Sequence, residues 1–118
     1  MENLKAIAIF PNIPPQNLDE FKRIAHEMLK RVQIQDAVTT YDIFFTSDNS
    51  SCVVIEEYKT PDGVIDHVKR NSDLLEQLTR LGGKVEGSMF PRTLEGEAIQ
   101  QIQNSWDSKM HHYFGGKQ

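Results

Sequence analysis

A chain of 118 residues, 38% of them hydrophobic and 25% charged, holds one domain's worth of sequence and can bury a core without covalent staples. Its 13 Lys and Arg are scattered among 17 Asp and Glu, and this net charge of −4 argues against nucleic-acid and polybasic membrane contacts. The one cysteine, Cys52, excludes an internal disulfide, no apolar run approaches spanning length, and Met1-Glu2-Asn3 lacks the basic start of a secretory signal, so the expectation is a cytoplasmic protein with no membrane partner.

Leu4 to Phe10 is an apolar run of β-formers closed by Pro11, and it predicts the first strand. Asn17 with Glu20 three residues on has the form of a capping box. Behind it Phe21, Ile24, Ala25, Met28 and Val32 recur at helical spacing, with Lys22, Arg23 and Lys30 on the other side. Residues 39–46 predict a second strand and Cys52–Tyr58 a third, and the turn cluster at 47–50 makes them an antiparallel hairpin. Thr60-Pro61-Asp62 opens the second helix, Asn71-Ser72-Asp73 breaks it in two, and Gly82-Gly83 ends it. Residues 84–90 predict the fourth strand, with Gly87 marking a bulge. Thr93 or Glu95 opens a last helix carrying Ala98, Ile99, Ile102 and, as its anchor, Trp106. The tail beyond residue 110 is read as either a docking arm or a frayed end.

This order is the split βαβ plan: an α+β, ferredoxin-like βαββαβ domain with a four-stranded antiparallel sheet and an extra C-terminal helix. Residues 1–94 form the domain, and residues 95–118 are a helix and tail packed on it. The alternation expected of a half-covered sheet is poor. Ala6, Ala8 and Phe10 oppose Ile7 and Ile9; Tyr41, Ile43 and Phe45 oppose Phe44; Cys52, Val54 and Tyr58 oppose Val53 and Ile55. An uncovered face of that content is unusual on a monomer. Burying about 500 Å² of it contributes on the order of 12 kcal/mol before association costs. The expectation is a homodimer packed sheet to sheet, the alternative being that the last helix or the tail covers that face.

The stretch Glu56-Glu57-Tyr58, with His67 nine residues after the tyrosine, resembles the antibiotic biosynthesis monooxygenase (ABM) family, which has a glutamate, an aromatic two residues later and a histidine in the following helix. Thr40-Tyr41-Asp42-Ile43-Phe44 is similar to the family's second strand. The resemblance spans roughly residues 4–91 in element order. It implies a dimeric α/β barrel with a pocket between sheet and helices in each subunit. It also implies cofactor-free oxygenation of a small aromatic or quinol-like molecule, although the family includes haem-degrading, isomerising and inactive members. Two departures stand out: Arg70-Asn71-Ser72 occupies the place where many relatives carry a second histidine, and the residues of the haem-degrading branch are not matched.

Glu56 and Tyr58 share a strand face, and burial would hold Glu56 in its neutral form and ready it as an acid or base near neutral pH. The plain alternative is an ion pair with Arg or Lys. His67 and Asn71 lie one helical turn apart on one side, where His67 can take a phenol proton or, more plainly, hold a backbone carbonyl. His67 and Glu56 are therefore the candidate catalytic residues. Tyr58, Asn71, Tyr41 and Phe44 are the candidate substrate contacts, with ordinary core packing as the competing reading of the aromatics. No metal is expected, since His111-His112 is not a ligand spacing and no H-x-x-x-H or C-x-x-C occurs. No glycine-rich phosphate cradle follows a strand, so a dinucleotide site is not expected, and the resemblance implies that no cofactor is needed. Cys52 reads as a buried thiol and His26 as solvated. The candidate functions are a cofactor-free monooxygenase, a non-catalytic dimeric binding or stress-response protein, and an isomerase or lyase.

Overall fold

Leu4–Phe10 becomes the central strand β1 in a computed structural model that describes residues 3–105 and 108–117; Trp106 lies outside the described residues. β1 pairs antiparallel with β3 (Cys52–Tyr58) on one side and with β4 (Glu86–Phe90) on the other. β2 (Val38–Phe45) forms the expected antiparallel hairpin with β3. Outside β4 the chain adds a short fifth strand, β5 (Ser108–Met110), parallel to it, so the order is β2-β3-β1-β4-β5.

The sheet is therefore mixed and five-stranded, not the four-stranded antiparallel sheet expected. β5 covers a β4 edge that would otherwise present unpaired N–H and C=O groups. The ladder continues one residue further, with His111 N–H donating to the Met89 carbonyl at 3.0 Å. Gly87 makes room for this strand and does not form a bulge: it pairs in register with Ala8, and a Cβ on it would lie 2.7 Å from Ser108 Oγ.

Helix α1 (Leu18–Val32) follows a single 3-10 turn at Pro15–Asn17 and buries Phe21, Ile24, Ala25, Met28 and Val32 against the sheet. Asn17 does not cap it. Its backbone is already helical (φ −98°, ψ −7°), and its Nδ2 donates instead to the Leu81 carbonyl at 3.2 Å. Thr60 does cap α2 (Pro61–Arg70), its Oγ1 accepting from Gly63 N–H at 3.3 Å. The predicted break falls at Asn71, before α3 (Ser72–Gly82). Helix α3 ends at Gly83, whose φ of +88° favours glycine. Helix α4 (Glu97–Ser105) follows Gly96 and buries Ile99 and Ile102. Among the described residues no helix is long and apolar enough to cross a membrane.

All four helices lie on one side of the sheet, over two apolar clusters. One gathers Phe10, Phe21, Met28, Val54, Leu74 and Leu78; the other gathers Leu4, Ala6, Tyr58, Val64, Ile99 and Ile102. Along β3 the first cluster ends at Val54 and the second begins at Tyr58, so Glu56 sits at the seam between them. The opposite sheet face carries Ile7, Ile9, Phe44, Val53 and Ile55, and Phe44 is 52% exposed and Ile55 43%. Helix α4 packs with the second cluster and so leaves that face open.

Candidate functional site

The strand alternation of β3 sends Cys52, Val54, Glu56 and Tyr58 toward the helices. The register then sets Tyr41 of β2 beside Glu56 on one flank and Ala6 of β1 on the other. Tyr58 donates a short hydrogen bond from its hydroxyl to Glu56 Oε1. From α2, His67 comes down over this pair: its ring centroid is 5.3 Å from that of Tyr41 and 5.7 Å from that of Tyr58. Asn71 stands one turn further on. The sixth member, Gln35, arrives from the turn between α1 and β2, with its Oε1 3.1 Å from His67 Nδ1. Gln35 and Asn71 exchange hydrogen bonds at 3.2 Å in both directions, and Asn71 Nδ2 also donates to the His67 carbonyl at 2.8 Å. The same carbonyl accepts the Asn71 backbone N–H at 3.1 Å, so the side chain adds a second bond at the α2–α3 junction.

The cluster is buried, with Glu56 8% exposed, His67 3% and Asn71 0%. Burial, opposed by the Tyr58 hydrogen bond, pushes the Glu56 carboxyl from 4.5 up to about 7. The expected alternative of a cationic partner is not what sets this value. The Tyr58 and Tyr41 hydroxyls are raised well above 10, first by burial and then by facing Glu56. Burial pulls the His67 imidazole down from 6.5 to about 4, so it is neutral at physiological pH. A buried carboxyl held near neutrality beside a tyrosine can gain or lose a proton close to physiological pH. Cys52, 1% exposed and raised to about 11 by burial, is the inert thiol expected.

Five of the six candidate residues thus meet: Glu56, Tyr58, His67, Asn71 and Tyr41. Phe44 does not. The period of two turns it to the open face, away from Tyr41 and Tyr58. Of two surface clefts, neither is lined by Glu56, Tyr58 or His67. A cleft of about 340 Å³ reaches Tyr41 between Val32, Val38 and Thr40. Another of about 430 Å³ lies past Leu4, between Pro61, Ile99 and Tyr113, with Arg92 over the Tyr113 ring at 3.8 Å. Among the described residues no three His, Cys, Asp or Glu side chains converge as metal ligands would. Gln35 escaped the sequence reading, because a lone glutamine in a short polar turn carries no periodic or motif signal.

No protein-family model matches the chain, and no curated protein sequence matches it. Solved structures do. MupZ from Pseudomonas fluorescens superposes with a TM-score of 0.84 at 13% identity, over 100% of this chain and 95% of that one. A crystal structure of an antibiotic biosynthesis monooxygenase gives 0.67 at 18% identity, over 76% of this chain and 98% of that one. A candidate antibiotic biosynthesis monooxygenase from Nitrosomonas europaea gives 0.66 at 14% identity, over 74% and 86%. The chain has the ABM fold. The resemblance read from Glu56, Tyr58 and His67 thus holds for the architecture. The monooxygenase superpositions take in about three quarters of this ABM-like chain, whereas that on MupZ includes the C-terminal helix and tail.

Proposed function

We propose that this ABM-like protein is a cofactor-independent monooxygenase of a small, neutral hydroxyaromatic or quinol-like substrate, working as a homodimer. One observation carries the reading: Glu56, buried beside Tyr58 and Tyr41, is held near pH 7 on a face that also presents a neutral imidazole. Glu56 in its carboxylate form takes the substrate's hydroxyl proton. The electron-rich anion left behind then reduces molecular oxygen. In a substrate with a ring CH2, such as an anthrone, one oxygen atom bonds to that carbon, which becomes a carbonyl; its two hydrogens leave with the other oxygen atom as water, and Glu56 returns its proton to the ring oxygen. Of the two candidate catalytic residues Glu56 is the better proton acceptor at neutral pH, since an imidazole held near 4 keeps a proton poorly. His67 accepts a hydrogen bond and orients the ring. No Lys or Arg enters the contacts described for the cluster, which favours a neutral substrate over an anionic one. The cleft at Tyr41, about 340 Å³, is of a size that suits a small molecule.

The dimer is supported by the open sheet face, where Ile7, Ile9, Phe44, Val53 and Ile55 are contiguous across three strands. Polar neighbours at Lys5, Asp42 and Glu57 rim it. Oxygen consumption with a panel of hydroquinones and hydroxyanthrones tests the activity. Uptake that disappears in Glu56→Gln is the expected result. Full turnover by Glu56→Gln on a confirmed substrate would overturn the assignment.

A second reading, a non-catalytic dimeric small-molecule-binding protein, is favoured by one feature: Gln35, His67 and Asn71 satisfy one another's polar groups without a ligand. Binding of a hydroxyaromatic by calorimetry, with no oxygen uptake, would select it.

A further inference from the structure

We infer that Gln35 is a positioning residue that holds His67 in the Nδ1–H tautomer and leaves Nε2 as the lone-pair nitrogen presented to substrate. The part concerning substrate rests on the proposed function; the tautomer itself does not.

The argument starts from an atom whose role is unambiguous. The His67 backbone carbonyl can only accept, and the Asn71 side chain approaches it at 2.8 Å, so the atom there is the amide nitrogen. That fixes the orientation of Asn71. Its Oδ1 then faces Gln35 Nε2, and its second Nδ2 proton is directed to Gln35 Oε1, both at 3.2 Å. The reciprocal pair fixes Gln35 in turn. Flipping either amide would bring oxygen against oxygen.

Gln35 Oε1 is thereby placed 3.1 Å from His67 Nδ1. An acceptor at that distance requires a proton on Nδ1. Asn71 Nδ2 also lies 3.1 Å from Nδ1, but both its protons are already committed, to the His67 carbonyl and to Gln35 Oε1. A bare Nδ1 would set its lone pair against that of Gln35 Oε1. With a proton on Nδ1, Gln35 Oε1 accepts from both Nδ1 and Asn71 Nδ2, one hydrogen bond more than a bare Nδ1 allows, and the Asn71 approach to Nδ1 is then a contact without a bond; in a neutral imidazole Nε2 is then the acceptor.

Gln35 is well placed for this task. It is 8% exposed, and the turn that carries it is fixed at both ends: Gln35 N–H donates to the Val32 carbonyl at 3.1 Å, and Val38 N–H donates to the Gln35 carbonyl at 3.0 Å. The carboxamide thus links α1, β2 and the α2–α3 junction, and a wrong tautomer at a catalytic histidine is known to be costly even when geometry is kept.

The test is a two-bond ¹⁵N–¹H correlation spectrum of the ligand-free protein near pH 7, which needs neither substrate nor turnover and so fails or succeeds separately from the proposed function. The expected result is a pyrrole-like Nδ1 and a pyridine-like Nε2 in the wild type. Gln35→Leu is expected to lose that signature toward a tautomer mixture, and to lower kcat at least roughly tenfold with a smaller change in KM. Gln35→Glu, which keeps an acceptor at Nδ1, is expected to restore the Nδ1–H signature. A wild-type spectrum with the proton on Nε2 overturns the inference even if neither variant folds. So does an unchanged Nδ1–H signature in a folded Gln35→Leu protein.

Discussion

Glu56 and His67 titrate in opposing senses, and replacing Glu56 exposes the balance. Burial holds the Glu56 carboxyl at about 7 against an ordinary 4.5. Between those values the folded protein keeps a proton that the unfolded chain has lost, so this group lowers stability as pH rises through the window. Burial holds His67 at about 4 against an ordinary 6.5. Between those values the unfolded chain binds a proton that the folded state refuses, so this group raises stability as pH rises and contributes fully above 6.5. Each window is about 2.5 pH units wide, and at about 1.4 kcal/mol per unit each amounts to about 3 kcal/mol. The two slopes nearly cancel where the windows overlap, so the wild type is expected to show an almost flat profile there. Glu56→Gln removes the falling limb. The variant is expected to match the wild type near pH 4.5 and to exceed it by about 3 kcal/mol near pH 8, less what the amide loses at Tyr58. Urea unfolding at fixed protein concentration, stepped from about pH 4.5 to about pH 8, reads this directly. Parallel profiles for the two proteins would refute the raised carboxyl. A Glu56→Gln deficit that grows with pH would mean that the carboxylate has a cationic partner.

Asn71→Ala removes the amide that bonds the His67 carbonyl and Gln35 from a fully buried position, and is expected to cost about 2–4 kcal/mol in denaturant unfolding. Gly87→Val puts a side chain into Ser108 and is expected to release β5. Faster amide exchange at His111 would report it, with global stability changing by less than about 1 kcal/mol, since β5 is a three-residue edge strand. Ile55→Asp on the open sheet face is expected to yield a folded monomer in sedimentation equilibrium at concentrations where the wild type is a dimer; a monomeric wild type would remove the dimer from the proposal.

The seam between the two apolar clusters explains why a carboxyl can sit inside this protein at all. Hydrophobic packing lies on either side, Val54 below and Tyr58 above, while the Tyr58 hydroxyl bonds the carboxyl and Tyr41 stands beside it on the neighbouring strand. A carboxyl so placed is expected to lower stability as pH rises toward neutrality, which the Glu56→Gln comparison reads.

Periodicity was enough to read β1, the β2–β3 hairpin, the helix after it and its interruption at Asn71, because burial of one face repeats every two or 3.6 residues and leaves its trace in the residue order. That Glu56 and Tyr58 share a strand face was legible for the same reason, whereas their grouping with His67 rested on the resemblance to the ABM family. What the order of residues could not disclose depended on contacts between distant segments. Asn17 looks like a cap until Leu81 offers its carbonyl, Gly87 looks like a bulge until Ser108 lies against it, and Ser108–Met110 has no strand pattern of its own because an edge strand three residues long is held by its neighbour's unpaired backbone. Gln35 is the sharpest case. Its meaning exists only where the α1–β2 turn meets Asn71 and His67, 36 and 32 residues away, and a hydrogen-bond partner chosen by folding leaves no mark in local sequence.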